Sequence, residues 1–137
     1  MYDPELVRPM REELTRLGFA ELRTPDEVDA ALGAEQAPTL VVVNSVCGCA
    51  ARNARPAAAL AVQHPRRPAR LVTVFAGQDA EATAQARSYF TGYAPSSPQM
   101  ALLKDGQVVF MLERKHIEGR TARDIAADLT AAFERFC

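Results

Sequence analysis

Thr39-Leu40-Val41-Val42-Val43 runs through Asn44-Ser45-Val46 into Cys47-Gly48-Cys49, and the alanine-rich stretch from Ala50 to Val62 follows at once. A short continuous run of β-branched and apolar residues is the pattern of a strand covered on both faces. Alanine is the best helix former, so a helix is expected over 50–62, kinked at Pro56, which lacks a backbone donor. The two paired cysteines therefore fall where a buried strand gives way to a helix.

That position carries chemistry. Backbone N–H groups at a helix start favour negative charge, and the thiolate is the nucleophilic form of a cysteine whose ordinary pKa is about 8.5. Cys47 is the expected attacking sulfur. Cys49, inside the first turn and less exposed, is the expected resolving thiol. Arg52 and Arg55 lie one to two turns along and either add positive potential or are simply solvated. A disulfide needs Cα atoms roughly 5.5–6 Å apart, whereas helical residues i and i+2 point to different faces. Closing this ring requires a bent backbone, which Gly48 is expected to supply. Strain in such a ring shifts the pair toward oxidising potentials.

Two rival readings of the triplet stand beside this one. Buried free cysteines often do no more than fill space, and closely spaced thiolates can hold a soft metal. A zinc site would need two further ligands. His64, His116 and Cys137 are the obvious candidates, and none has a paired spacing. The expectation is no metal.

Outward from the junction, Glu5 to Leu17 reads as an amphipathic helix through Leu6, Met10, Leu14 and Leu17, closed by Gly18. Thr24-Pro25 opens a short helix to about Leu32, with Val28, Ala31 and Leu32 inward. Leu71 to Phe75 is a second buried strand, and Asp79 is placed to cap a helix from Ala80 to Phe90. After a turn-rich stretch, Met100 to Leu103 and Val108 to Leu112 flank Lys104-Asp105-Gly106, a strong hairpin signal. Thr121 caps a last helix through Phe133, with Ile125, Leu129 and Phe133 on one face. The order α-α-β-α-β-α-β-β-α gives an α/β protein with one central mixed sheet of about four strands flanked by helices.

The 137 residues suit a single domain over 1–137. With 48% apolar and 24% charged residues, the composition is that of an ordinary globular protein. A net charge of −1 with interleaved signs makes no case for nucleic acid or an anionic membrane. No basic region leads into an apolar stretch near Met1, so a cytoplasmic location is expected. Three cysteines, an odd count, argue against a structural disulfide framework. The terminal Cys137 is either a loose thiol, a third redox partner or a second place to capture a small thiol. His64 and His116 read as surface residues, and Pro95 as a turn residue. A cis bond at Pro98 would bring a backbone edge close to the cysteines.

The segment Val42 to Ala51, with Ala54-Arg55-Pro56-Ala57 after it, resembles the bacilliredoxin family. Further matching stretches are Val72 to Asp79, Tyr89-Phe90-Thr91-Gly92, Ala94-Pro95-Ser96-Ser97-Pro98, Ile117-Glu118-Gly119 and the C-terminal cysteine. The resemblance implies a thioredoxin-like fold with Cys-Gly-Cys as its redox centre. It also implies removal of bacillithiol from proteins that carry it as a mixed disulfide. By the same resemblance Cys47 is the nucleophile and Cys49 the resolving thiol. Pro98 then matches the cis-proline that faces the redox pair, with Ser97 before it, and Pro56 the proline that kinks the active-site helix. Bacillithiol would be the thiol co-substrate, with no tightly bound cofactor, and bacillithiolated proteins the clients of a chain taken as a monomer. A general disulfide isomerase or reductase, or a non-catalytic soft-metal or thiol-binding module, remain the alternatives.

Overall fold

The computed structural model describes residues 1–33 and 37–137. Its first helix, α1 (Pro4–Thr15), is capped by Asp3 and leads to a two-residue strand, β1 (Ala20–Glu21). Then come α2 (Pro25–Leu32), β2 (Thr39–Asn44), a π-helical segment (Ala50–Ala54) and α3 (Arg55–Ala61). The chain continues through β3 (Arg70–Phe75), α4 (Ala80–Arg87), β4 (Gln99–Lys104) and β5 (Gln107–Leu112). It closes with a single turn, α5 (Arg114–Ile117), and the long α6 (Ala122–Phe136).

The sheet has five strands in the order β1-β3-β2-β4-β5. β3 is parallel to both β1 and β2, while β4 is antiparallel to β2 and β5. Every residue of β2 is buried, as its continuous apolar run requires. Successive side chains leave a strand on opposite faces, and the core divides accordingly. Leu40 and Val42 pack with Met100 and Leu102 against α1, α3 and α6. Val41 and Val43 pack with Val72, Val74 and Ala101 against α2 and α4. The hairpin turn has Asp105 at φ 53° and Gly106 at φ 77°, the paired positive angles that Asp-Gly supplies.

Several boundaries differ from expectation, each for a physical reason. The fifth strand is β1, too short to show a pattern, whose pairing with Val72 and Thr73 is wholly tertiary. In α1 the buried face is Val7, Arg11 and Leu14, and Leu6 is 52% exposed. Arg11 is admitted because it pairs with Asp79 at 2.7 Å and lies over the Phe75 ring. Asp79 sits at the start of α4, but Arg11 takes its carboxylate and no side-chain cap forms. α4 ends at Arg87, short of Phe90.

α6 lays Ile125, Leu129 and Phe133 into the core, all fully buried. Phe133→Ala empties the centre of that contact and is expected to cost about 3–5 kcal/mol. Urea unfolding, read as a lower midpoint at unchanged slope, measures it.

Candidate active site

The 50–62 helix does not form as one α-helix bent at Pro56. It begins with the π segment, where the Arg55 N–H reaches back five residues to the Ala50 carbonyl. Pro56 cannot donate at all, and falls in the first turn of α3, where a missing donor costs least. The wide turn has a consequence for the two arginines. In a regular helix Arg52 and Arg55 would share a face. Here Arg52 is exposed and Arg55 is 3% exposed.

Arg55 points beneath the cysteine loop. Its Nη1 donates to Asn44 Oδ1 and to the Ser45 carbonyl, each at 2.9 Å. Asn44 Oδ1 also accepts from the Ser45 N–H at 2.9 Å, and Asn44 Nδ2 donates to the Met10 carbonyl of α1. Ser45 Oγ in turn accepts the Cys47 N–H at 3.1 Å. Arg55 Nε lies 3.1 Å from Glu13 Oε2, close enough for charge attraction but not aligned as a hydrogen bond. A guanidinium thus fixes the end of β2, three residues before the first sulfur. Reading it as a solvated surface arginine is corrected by its burial.

Cys47 and Cys49 are joined as a disulfide with their Cα atoms 5.5 Å apart. The Cys47 carbonyl accepts from the Ala50 and Ala51 N–H groups at 3.0 and 3.2 Å, so this residue opens the helical segment. Cys47 is half-buried and Cys49 is 8% exposed. Gly48 does not take a left-handed conformation. What its missing side chain provides is room. A Cβ at Gly48 would stand 2.6 Å from Arg52 Nη2, because the Arg52 guanidinium folds back over the triplet.

The Ser97–Pro98 peptide is cis, and Pro98 is buried. Because Val43 pairs with Gln99, this peptide lies beside the end of β2 that carries the cysteines. Two arginines not singled out in the sequence hold the loop. Arg87 donates to the Ser96 carbonyl at 2.7 Å and to Gln99 Oε1 at 3.1 Å. Arg114 reaches the Ser97 carbonyl at 3.3 Å and grips Glu118 Oε2 through Nε and Nη2. Both contacts join residues from different elements, so no local pattern announces them. Between the π segment and α5 a groove of about 400 Å³ opens beside the disulfide, lined by Gly48, Cys49, Arg52 and Asn53 on one side and by Arg114, Glu118 and Gly119 on the other.

The remaining candidates lie elsewhere. Cys137 is close enough to Lys104 and Arg66 to feel their charge, at the far end of β4 from Pro98. Cys137 packs against the core face that holds α3 and α6, and it is the one cysteine outside the disulfide. Burial also pushes its thiol up, toward the protonated form, against the pull of the two cations. His64 pairs with Glu134 at 2.8 Å. His116 Nδ1 accepts the Glu113 N–H at 3.0 Å and closes the capping box of α5. Among the described residues no three His, Cys, Asp or Glu side chains converge as a metal site would require.

A family model described as disulphide isomerase matches residues 2–137. A bacilliredoxin of Salinibacter ruber is 59% identical, over 99% of this chain and 81% of its own length. A bacilliredoxin of Koribacter versatilis is 55% identical, over 100% of this chain and 94% of its own.

The chain belongs to the bacilliredoxin family.

The fold agrees: Fasciola hepatica thioredoxin superposes with a TM-score of 0.57 at 19% identity, over 87% of this chain and all of that one. The bacilliredoxin chain is thus thioredoxin-like, with a mixed sheet of five strands where about four were expected. Family, fold and the paired cysteines together make it a thiol–disulfide oxidoreductase.

Replacing Arg55 by Met would leave Asn44 Oδ1 and the Ser45 carbonyl without their charged donor. Since Glu13 is partly solvated, the expected cost is about 2–3 kcal/mol, read by urea unfolding. The loss of a buried cation beneath the loop is also expected to slow alkylation of the reduced Cys47 by iodoacetamide at neutral pH.

Proposed function

We propose that this protein removes bacillithiol from S-bacillithiolated proteins. The reading rests above all on the asymmetry of the paired sulfurs: Cys47 is half-buried at a helix start, and Cys49 is buried behind it. The Cys47 thiolate attacks the bacillithiol sulfur of the mixed disulfide. The client thiolate leaves and takes up a proton, so the client is reduced and Cys47 carries the bacillithiol. The Cys49 thiolate then attacks Cys47 Sγ and expels bacillithiol, which gives the Cys47–Cys49 disulfide; a second bacillithiol can displace the first instead. Gly48 leaves space at the triplet, and the cis Ser97–Pro98 peptide borders it. Bacillithiol is then a thiol co-substrate, bacillithiolated proteins are the partners, and the reaction takes place in the cytoplasm without a tightly bound cofactor. None of the helices is long and apolar enough to cross a membrane, among the described residues.

A second reading, reshuffling of disulfides between protein cysteines, is favoured by the disulphide isomerase description of the matching family model. The same nucleophile would serve, with a protein thiol as the group carried.

Intact mass spectrometry separates the two. Reduced Cys49→Ala incubated with a bacillithiolated client should gain one bacillithiol on Cys47 and restore the client. Cys47→Ala should gain none. Capture by Cys47→Ala at the wild-type rate would overturn the roles assigned, and an untouched client would favour the isomerase reading.

A further inference from the structure

The groove beside the disulfide has an imbalance of charge. Its Arg114 is committed to Glu118 Oε2, at 3.0 and 3.1 Å, and to the Ser97 carbonyl. Asn53 Nδ2 is spent on the Arg120 carbonyl, and Arg120 itself pairs with Asp128. Glu118, the groove's one carboxylate, is therefore already matched. Arg52 has no hydrogen bond or ion pair among the described residues. Although the residue is exposed, its guanidinium is held close to the triplet. It folds back across Gly48, in the space a side chain there would fill.

We infer that Arg52 is a specificity-determining residue which selects small thiols bearing a carboxylate. The inference deepens the proposed function and rests on it. A planar guanidinium with no partner binds a carboxylate through two parallel hydrogen bonds. Placed over Gly48, it meets the anionic tail of a thiol whose sulfur is joined to Cys47 Sγ. The volume of about 400 Å³ lies within the range of small-molecule sites. Gly48 belongs to the same device, because any side chain there displaces the guanidinium. Discrimination comes from this one charge, and a neutral thiol of equal size gains nothing from it.

The test uses reduced wild-type protein and a peptide cysteine carrying either mercaptosuccinate or the uncharged 1-thioglycerol as a mixed disulfide. In both, Cys47 attacks the small-thiol sulfur and the peptide thiol leaves. The second-order rate of peptide release is measured under single-turnover conditions, each normalised to the rate with dithiothreitol. The wild type should prefer the mercaptosuccinate peptide by about tenfold, the lower range for a charge-assisted bond. That preference should fade as ionic strength rises from about 0.01 to about 1 M, where the Debye length falls to about 3 Å. Arg52→Gln and Gly48→Ala should each bring the ratio of the two rates close to one. Taking a ratio cancels any general effect of a substitution on sulfur reactivity. Equal wild-type rates, or a preference that survives Arg52→Gln, would overturn the inference while leaving the proposed function standing. Failure to release either peptide would remove the proposed function and the inference with it.

Discussion

The hydrogen bonds of Arg55 to Asn44 and Ser45 are the contacts on which the rest of the site depends. β2 ends at Asn44, and the next residues must leave the sheet, turn and enter a helix within a few peptide units. Such a turn exposes backbone carbonyls that no ladder or helix can satisfy. Arg55 supplies a donor from below, Asn44 ties the strand end to α1, and Ser45 passes the order on to the Cys47 N–H. A buried charge is costly unless it is hydrogen-bonded and paired. Here both conditions are met, with Glu13 as a partly solvated counter-ion. One residue thus couples the position of the loop to a fixed positive charge beneath a site that works through an anion.

The π segment makes that arrangement possible. A helical residue turns the chain by about 100°, so one residue more in a turn re-aims every side chain after it. Without the wide turn, Arg52 and Arg55 would emerge on the same side. With it, one guanidinium goes under the cysteines and the other lies over Gly48. Pro56, which has no donor to give, follows directly on the wide turn that the Arg55 N–H closes on the Ala50 carbonyl. The helix expected to kink at the proline is instead irregular one turn earlier, in the segment that sets which way the two cations face.

What could be read beforehand follows from this. The central strand, the hairpin and the amphipathic α6 were legible, since each writes its burial into local spacing. So was the cysteine pair, since two sulfurs at a strand-to-helix junction have a chemical meaning without any tertiary contact. β1 was not legible, because its two residues are a strand only where β3 pairs with them. The roles of Arg11, Arg55, Arg87 and Arg114 were hidden for one common reason. A charged residue reads as surface until its partner is known, and here the partners are Asp79, Asn44, Ser96 and Ser97, from other elements. Gly48 was legible as the residue at the bend between the cysteines, but the space it leaves for the Arg52 guanidinium was not.

Cys137 shows the same limit from the other side. A third cysteine invites a chemical role because sulfur is reactive, but its surroundings set which form it favours. β4 runs from the cis-proline loop to Lys104, and the terminal thiol feels the charge at the far end of it. Burial there pushes its thiol up and disfavours the thiolate, against the pull of Lys104 and Arg66. Around Cys47 the surroundings are of the opposite kind, with backbone N–H groups, a buried guanidinium below and an unpaired one above. Lys104 and Arg66 act on Cys137 against its burial, whereas the cations near Cys47 are brought to it by the backbone turn at the end of β2.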